Sequence, residues 1–174
     1  LRDCSSIDYA ALGEGEETII EFCKQIDNGN SVENLDGICF LKNGKFVKNP
    51  SRKRIKNVDE IPWPDWEVFD IVPYLDNSIS FGASFGRNIP IMATRGCPYQ
   101  CTFCSEPLQV MNGDSEGKFL WNAHSLDWIK KQIDTVRELL AKDGKDLDGV
   151  GLWDDMFWVK YRTTPRAKDI LNYL

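Results

Sequence analysis

The order of apolar patterns in the second half of the chain constrains the fold most. A short apolar run at Ile89 to Thr94 (IPIMAT) precedes an amphipathic stretch, then a second short run follows at Val150 to Trp153 (VGLW), and Thr164-Pro165 marks a further helix start. In the amphipathic stretch Leu126, Ile129, Ile133, Val136, Leu139 and Leu140 recur at helical spacing. Ser125 stands where an N-cap belongs, and Lys142 and Gly144 mark the end. Strand, helix, strand, helix in this order predicts a parallel sheet with crossover helices. Folds of this kind place their chemistry on the loops that follow the strands.

The first half reads differently. Ile7 to Leu12 (IDYAAL) predicts a short buried strand that ends in the turn Gly13-Glu14-Gly15-Glu16. A helix should follow, with Ile19, Ile20, Phe22, Cys23 and Ile26 as its apolar face, Glu16 and Glu17 at its positive end, and Gly29 as its stop. Gly37 to Leu41 and Lys45 to Lys48 flank Asn43-Gly44, the pair that favours positive φ at both centres of a tight hairpin. From Asn49 to about Asn88, Pro50, Pro62, Pro64 and Pro73 and the basic run Arg52 to Lys56 read as a linker. Its aromatics Trp63, Trp66, Phe69 and Tyr74 argue that it lies packed against a surface, because a free tether would not carry so much apolar area.

Composition narrows the function classes. The 174 residues carry 21 Lys and Arg against 27 Asp and Glu, a net charge of −6, with 42% hydrophobic residues. That describes an ordinary globular chain of one domain or two small ones. The acidic balance disfavours nucleic acid as the main partner. No apolar run approaches the ~18 residues of a membrane span. Six cysteines in 174 residues fall well short of a disulfide scaffold, and no signal core opens the sequence, so a reducing cytoplasm is expected. The chain begins with Leu1, and Asp169 to Leu174 stop within an apparently amphipathic helix, so a piece of a longer protein is expected.

Cys97, Cys101 and Cys104 stand in C-P-Y-Q-C-T-F-C on the loop after the Ile89 to Thr94 strand. Three thiolates from one short loop can hold three corners of a cubane iron–sulfur cluster and leave the fourth iron without a protein ligand. A structural zinc would need a fourth Cys or His, and the nearest candidate is His124; a redox-active thiol set is the third reading. Spacing alone leaves the three about even. Cys4, Cys23 and Cys39 show no paired spacing and read as small core hydrophobes, and His124 as a helix-flanking surface or core residue. Phe103 sets an aromatic ring between the last two cysteines, and Gly96 allows a sharp turn before the first.

TRGCPYQCTFCS resembles the hallmark of radical S-adenosylmethionine enzymes, in the form found in the subgroup with an N-terminal cobalamin-binding domain. Three further segments resemble that subgroup: GEGE at Gly13 to Glu16, IPWPDWEVFD at Ile61 to Asp70, and LWDDMF at Leu152 to Phe157. The resemblance implies an α/β chain made of the C-terminal end of a Rossmann-like cobalamin-binding domain (1–48), a packed linker (49–87) and the first βα units of a partial TIM-type barrel (88–174). It implies that Cys97, Cys101 and Cys104 ligate a four-iron four-sulfur (4Fe-4S) cluster whose open iron chelates S-adenosylmethionine, with Phe103 near the adenine. Asp154 or Asp155 would meet the methionine ammonium, the alternative being that they end a strand and cap a turn. Gly13, Glu14 and Gly15 would border a corrin or its nucleotide tail, although a plain strand-to-helix turn explains them almost as well. Cobalamin itself stays open, since some relatives with this domain work without it. The implied activity is radical chemistry on an unactivated C–H bond of a small-molecule substrate, by methyl transfer or oxidative ring closure, fed by a low-potential donor such as a flavodoxin or ferredoxin. At about 30 residues per βα unit, residues 88–174 hold fewer than half of the units such a barrel needs. The piece alone is therefore expected to fall short of turnover.

Overall fold

The computed structural model describes residues 1, 6–76, 86–97, 99, 101–104, 121–154 and 167–173. The chain falls into two compact units of mixed α/β structure, Leu1–Lys56 with Pro98–Leu120, and Asn57–Cys97 with Trp121–Leu174.

In the first unit β1 (Tyr9–Ala11), β2 (Ile38–Lys42) and β3 (Lys45–Lys48) form an antiparallel sheet in the order β1-β2-β3. Lys42 pairs with Lys45, which leaves Asn43 and Gly44 as a two-residue loop with φ of 51° and 74°. Both centres are left-handed, as the Asn-Gly pair predicts. Ile38, Cys39 and Phe40 are buried together with Val32. Helix α1 (Glu16–Asp27) follows the GEGE turn with its two acids in the first turn.

The inner face of α1 keeps Phe22 of the predicted set but not the rest. Thr18 is its buried residue and Phe22 sets its ring edge-on to Tyr9 at 5.3 Å, whereas Ile19, Ile20 and Ile26 are all more than half exposed. Thr18 and Phe22 lie on the side that meets Gly37 and Tyr9, and Cys23 and Ile26 stay exposed. Cys23 is accordingly exposed and is no core residue, while Cys39 is buried as expected; Cys4 lies outside the described residues. Arg52 fastens the start of the basic run to this helix. Its guanidinium pairs with Glu21, lies 3.9 Å from Glu17, and donates through Nε to the Asp36 carbonyl at 3.1 Å. Gly37 makes room for it: φ is +75°, and a Cβ there would stand 3.1 Å from Arg52 Cγ.

The second unit carries the predicted parallel pair. β4 (Asn88–Ile91) runs parallel to β7 (Gly149–Leu152), in register from Asn88 opposite Gly149 to Ile91 opposite Leu152. Helix α2 (Val72–Asp76) precedes them, and the two-residue strands β5 (Thr94–Arg95) and β6 (Asn122–Ala123) pair antiparallel between them. Helix α3 (Leu126–Lys142) makes the crossover. Ser125 Oγ accepts from the Trp128 N–H at 3.1 Å, which satisfies one orphan donor of the first turn. Ile129, Ile133, Val136 and Leu140 are fully buried against Ile89, Ile91 and Ala93. At ~1.5–3 kcal/mol per buried aliphatic side chain, this stripe decides where α3 lies. α4 (Ala167–Leu171) adds Ile170 to the same core; its expected start at Thr164-Pro165 lies outside the described residues.

The proline-rich segment from Asn57 onward packs into this unit. Val58, Ile61, Ile71 and Leu75 are buried, and Trp63 lies edge-on to Trp128 at 6.0 Å. Phe69 and Tyr74 instead pair with each other at 5.6 Å and are mostly exposed. Among the described residues no helix is long and apolar enough to cross a membrane.

Candidate metal centre

The strand that leads to the cysteines is held on both sides. β5 continues β4 after Met92-Ala93 and pairs with β6, Thr94 opposite Ala123 and Arg95 opposite Asn122. On one side the His124 N–H donates to the Ala93 carbonyl at 2.9 Å. On the other, Asp154 Oδ1 accepts from both the backbone N–H of Thr94 and its hydroxyl, the latter at 2.6 Å. Thr94 is 2% exposed, so these bonds are made away from water. The Trp153 N–H donates to Ile91 O at 2.9 Å and extends the parallel pairing to the residue before Asp154. Gly96 then turns the chain at φ +80°, a conformation other residues rarely adopt, and Cys97 follows half-buried.

Cys97 closes the second unit, whereas Cys101 and Cys104 belong to the first. Cys101 is exposed and Cys104 half-buried, joined in one turn by Cys104 N–H to Cys101 O at 3.1 Å. All three thiols are free, and Phe103 between the last two is 92% exposed. Among the described residues no three His, Cys, Asp or Glu side chains are gathered as a metal site. The donor chemistry nevertheless fits a soft iron centre: three thiols outside any disulfide within eight residues, while among the described residues His124 is engaged elsewhere.

His124 is one such engaged donor. Its ring is buried, stacks on Trp128 at 3.7 Å and 15°, and sets Nδ1 3.3 Å from Asp59 Oδ1. Burial pushes the imidazole below its ordinary pKa, and the hydrogen bond and charge of Asp59 pull only partly the other way. Burial alone would raise Asp59, but hydrogen bonds from Ser125 and His124 outweigh it and hold the carboxyl below its usual range. This is a satisfied core histidine, one of the two placements, surface or core, that the sequence leaves open. No motif marks Asp59; its one local signal is an acid between Asn57, which accepts from its N–H, and the aromatic IPWPDW run.

The GEGE turn is similarly committed. Glu14 Oε2 accepts from the Ile55 N–H at 2.7 Å, and Oε1 lies 3.5 Å from Arg54, both side chains being largely buried. The Glu14 carboxylate thus holds the basic run. Gly13 has φ +79° and needs to be glycine, while Gly15 has an ordinary helical conformation with open space around it. Asp155 lies outside the described residues.

No family model matches the chain. It is 33% identical over 133 residues to an uncharacterised methyltransferase of Pyrococcus horikoshii, covering 76% of this chain and 26% of that protein. It is 29% identical over 147 residues to the anaerobic magnesium-protoporphyrin IX monomethyl ester cyclase of Cereibacter sphaeroides, covering 83% of this chain and 21% of the cyclase. The chain therefore spans about a quarter or less of these relatives. In structure it is similar to the cobalamin-dependent S-adenosylmethionine radical enzyme OxsB, solved with aqua-cobalamin and S-adenosylmethionine bound, with a TM-score of 0.64 at 19% identity over 92% of this chain and 20% of that one. The radical S-adenosylmethionine methyltransferase TsrM of Kitasatospora setae gives a TM-score of 0.55 at 18% identity, over 97% of this chain and 28% of TsrM. The chain shares the fold of one part of the cobalamin-dependent radical S-adenosylmethionine enzymes and is related in sequence to a methyltransferase and a cyclase.

Proposed function

We propose that this chain carries the cluster-binding loop of a radical S-adenosylmethionine enzyme. The observation that carries the reading is the position of three free cysteines, spaced C-x-x-x-C-x-x-C, directly after a strand that continues one member of a parallel βαβ pair. Loops at the C-terminal ends of parallel strands are where such folds do their chemistry. Cys97, Cys101 and Cys104 would hold a four-iron four-sulfur cluster, with S-adenosylmethionine on the remaining iron. When bound, such a centre supplies the electron that breaks the sulfonium C–S bond and releases methionine and a deoxyadenosyl radical.

The chain's own residues have narrower tasks. Gly96 and the Asp154-to-Thr94 bonds fix the direction in which the loop leaves the sheet. Phe103, almost fully exposed, offers its face to an adenine. Asp154 has given Oδ1 to Thr94, so the methionine ammonium would be met by its other oxygen or by Asp155. Because Glu14 holds Arg54 and Ile55, a corrin edge at the GEGE turn would meet the backbone of Gly13 to Gly15 in place of that carboxylate. The domain reading follows the same resemblance: the end of a cobalamin-binding domain in 1–48, a linker in 49–87, and the first barrel units in 88–174. In the whole protein the reaction would be methyl transfer or oxidative ring closure on a small molecule, with cobalamin as a further cofactor and a flavodoxin or ferredoxin as donor in a cytoplasmic setting.

Anaerobic reconstitution with iron and sulfide tests the reading. A brown protein with about four irons per chain, and loss of both in Cys101→Ala, is expected. A colourless protein that holds a single zinc would overturn it.

A further inference from the structure

The chain's one histidine is buried at a point where an aliphatic residue would be cheaper to bury, and it is met there by an aromatic face and a carboxylate. An ionised Asp59 can only accept, so Nδ1 of His124 carries the proton and donates to it. The same Asp59 oxygen accepts from the Ser125 N–H at 2.9 Å, and Trp128 Nε1–H donates to the Ile61 carbonyl at 3.1 Å. Three contacts thus tie residues 59–61 to the root of α3. From that root the His124 N–H reaches the Ala93 carbonyl, next to β5, which leads into Gly96 and Cys97.

We propose that Asp59 and His124 are positioning residues for Cys97: the pair locks the β6 to α3 corner, and that corner fixes the path of β5 into the first cysteine. The proposal rests on the reading of the three cysteines as cluster ligands, but the geometry acts on the chain before any cluster is present. Asp59 and His124 touch no reacting group. They act through the backbone bond from His124 to Ala93 and the β5 to β6 pairing.

The test uses the full chain with reduced thiols, as wild type, Asp59→Asn and His124→Phe. The phenyl ring keeps the stack on Trp128 and loses the hydrogen bond; the amide keeps the shape of Asp59 and loses its charge. Alkylation of each cysteine by iodoacetamide is followed by mass spectrometry, with exposed Cys23 as internal control. Cys97 should react about tenfold faster in both variants, the change expected when local opening is no longer opposed by a hydrogen bond to a charged group, while Cys23 and Cys101 keep their rates. Unchanged Cys97 rates in both variants, or an equal rise at all three cysteines, would overturn the proposal. After reconstitution the variants should also show a changed electron paramagnetic resonance spectrum of the reduced cluster. Should the wild type take up no cluster, the cluster reading fails, and the alkylation rates still decide the role of the pair.

Discussion

Replacing Asp154 measures how firmly the strand that delivers Cys97 is held. Asp154 Oδ1 takes two hydrogen bonds from Thr94, sixty residues earlier in the chain, and Thr94 is 2% exposed. Asp154→Ala removes the acceptor that two buried donors share. Each such donor costs ~1–3 kcal/mol, and because Asp154 is only half-buried and water can reach part of the gap, the sum should be about 3 kcal/mol. Asp154→Asn keeps an acceptor of the same shape and loses the charge, for about 1 kcal/mol. Thr94→Val removes one of the two donors, so the double variant should fall short of the additive sum by about 1 kcal/mol. All six tryptophans (63, 66, 121, 128, 153 and 158) fall within residues 57–97 and 121–174, so tryptophan fluorescence in urea follows the second unit alone. With the slope unchanged, the shift in midpoint gives the energy directly. An Asp154→Ala chain within about 0.5 kcal/mol of wild type, or strict additivity with Thr94→Val, would refute the idea that this carboxylate holds the strand.

The same fluorescence assay reads three other changes. Ile133 is fully buried in the α3 stripe, so Ile133→Ala should cost about 2–5 kcal/mol and Ile133→Val about 1. Ser125→Ala removes the cap on Trp128 N–H and a side-chain hydrogen bond to Asp59 and should cost about 1–2 kcal/mol, a cost that Ser125→Asp should not recover, because its carboxylate would face that of Asp59. His124 is held below its ordinary value of 6.5 when folded, so the unfolded chain takes up the proton first as pH falls. Stability should be level above pH 6.5, decline below it, and stop declining from this cause once pH is under the folded value; His124→Phe should lack that decline, and an unchanged slope would defeat the assignment. Gly44→Ala strains the hairpin at φ +74° and should cost about 1 kcal/mol in the first unit, visible by hydrogen exchange and silent in tryptophan fluorescence.

What could be read from the sequence was local. The Asn43-Gly44 turn, the Ser125 cap and the α3 stripe each depend on residues within a few positions of one another, and each formed as expected. The parallel pairing of β4 with β7 followed from the alternation of patterns, because a crossover helix leaves little other choice. The predicted face of α1 holds only at Phe22. Hydrophobicity also favours Ile19, Ile20, Cys23 and Ile26, while the side that packs adds Thr18, which fits beside Gly37 as Phe22 meets Tyr9. Nothing within the helix distinguishes a row that packs from one that does not; the partner surface does.

Three carboxylates in or beside the motif segments share one property that a motif cannot display. Glu14 spends its oxygens on Arg54 and Ile55, Asp59 on Ser125 and His124, and Asp154 an oxygen on Thr94, at separations of about 40 to 66 residues. Each accepts from a backbone N–H, and a backbone donor is present whatever side chain stands there, so the partner leaves no trace in the sequence. An acid in a family-like segment is therefore explained twice over, by a ligand it could touch and by a chain segment it holds. The two explanations separate on substitution. An acid that only holds backbone is rescued by its amide, which still accepts; one that binds an ammonium is not, because the charge is what it contributes. By that criterion Asp154→Asn, which should lose only about 1 kcal/mol of the roughly 3 lost in Asp154→Ala, isolates whatever part Asp154 plays beyond the strand it anchors.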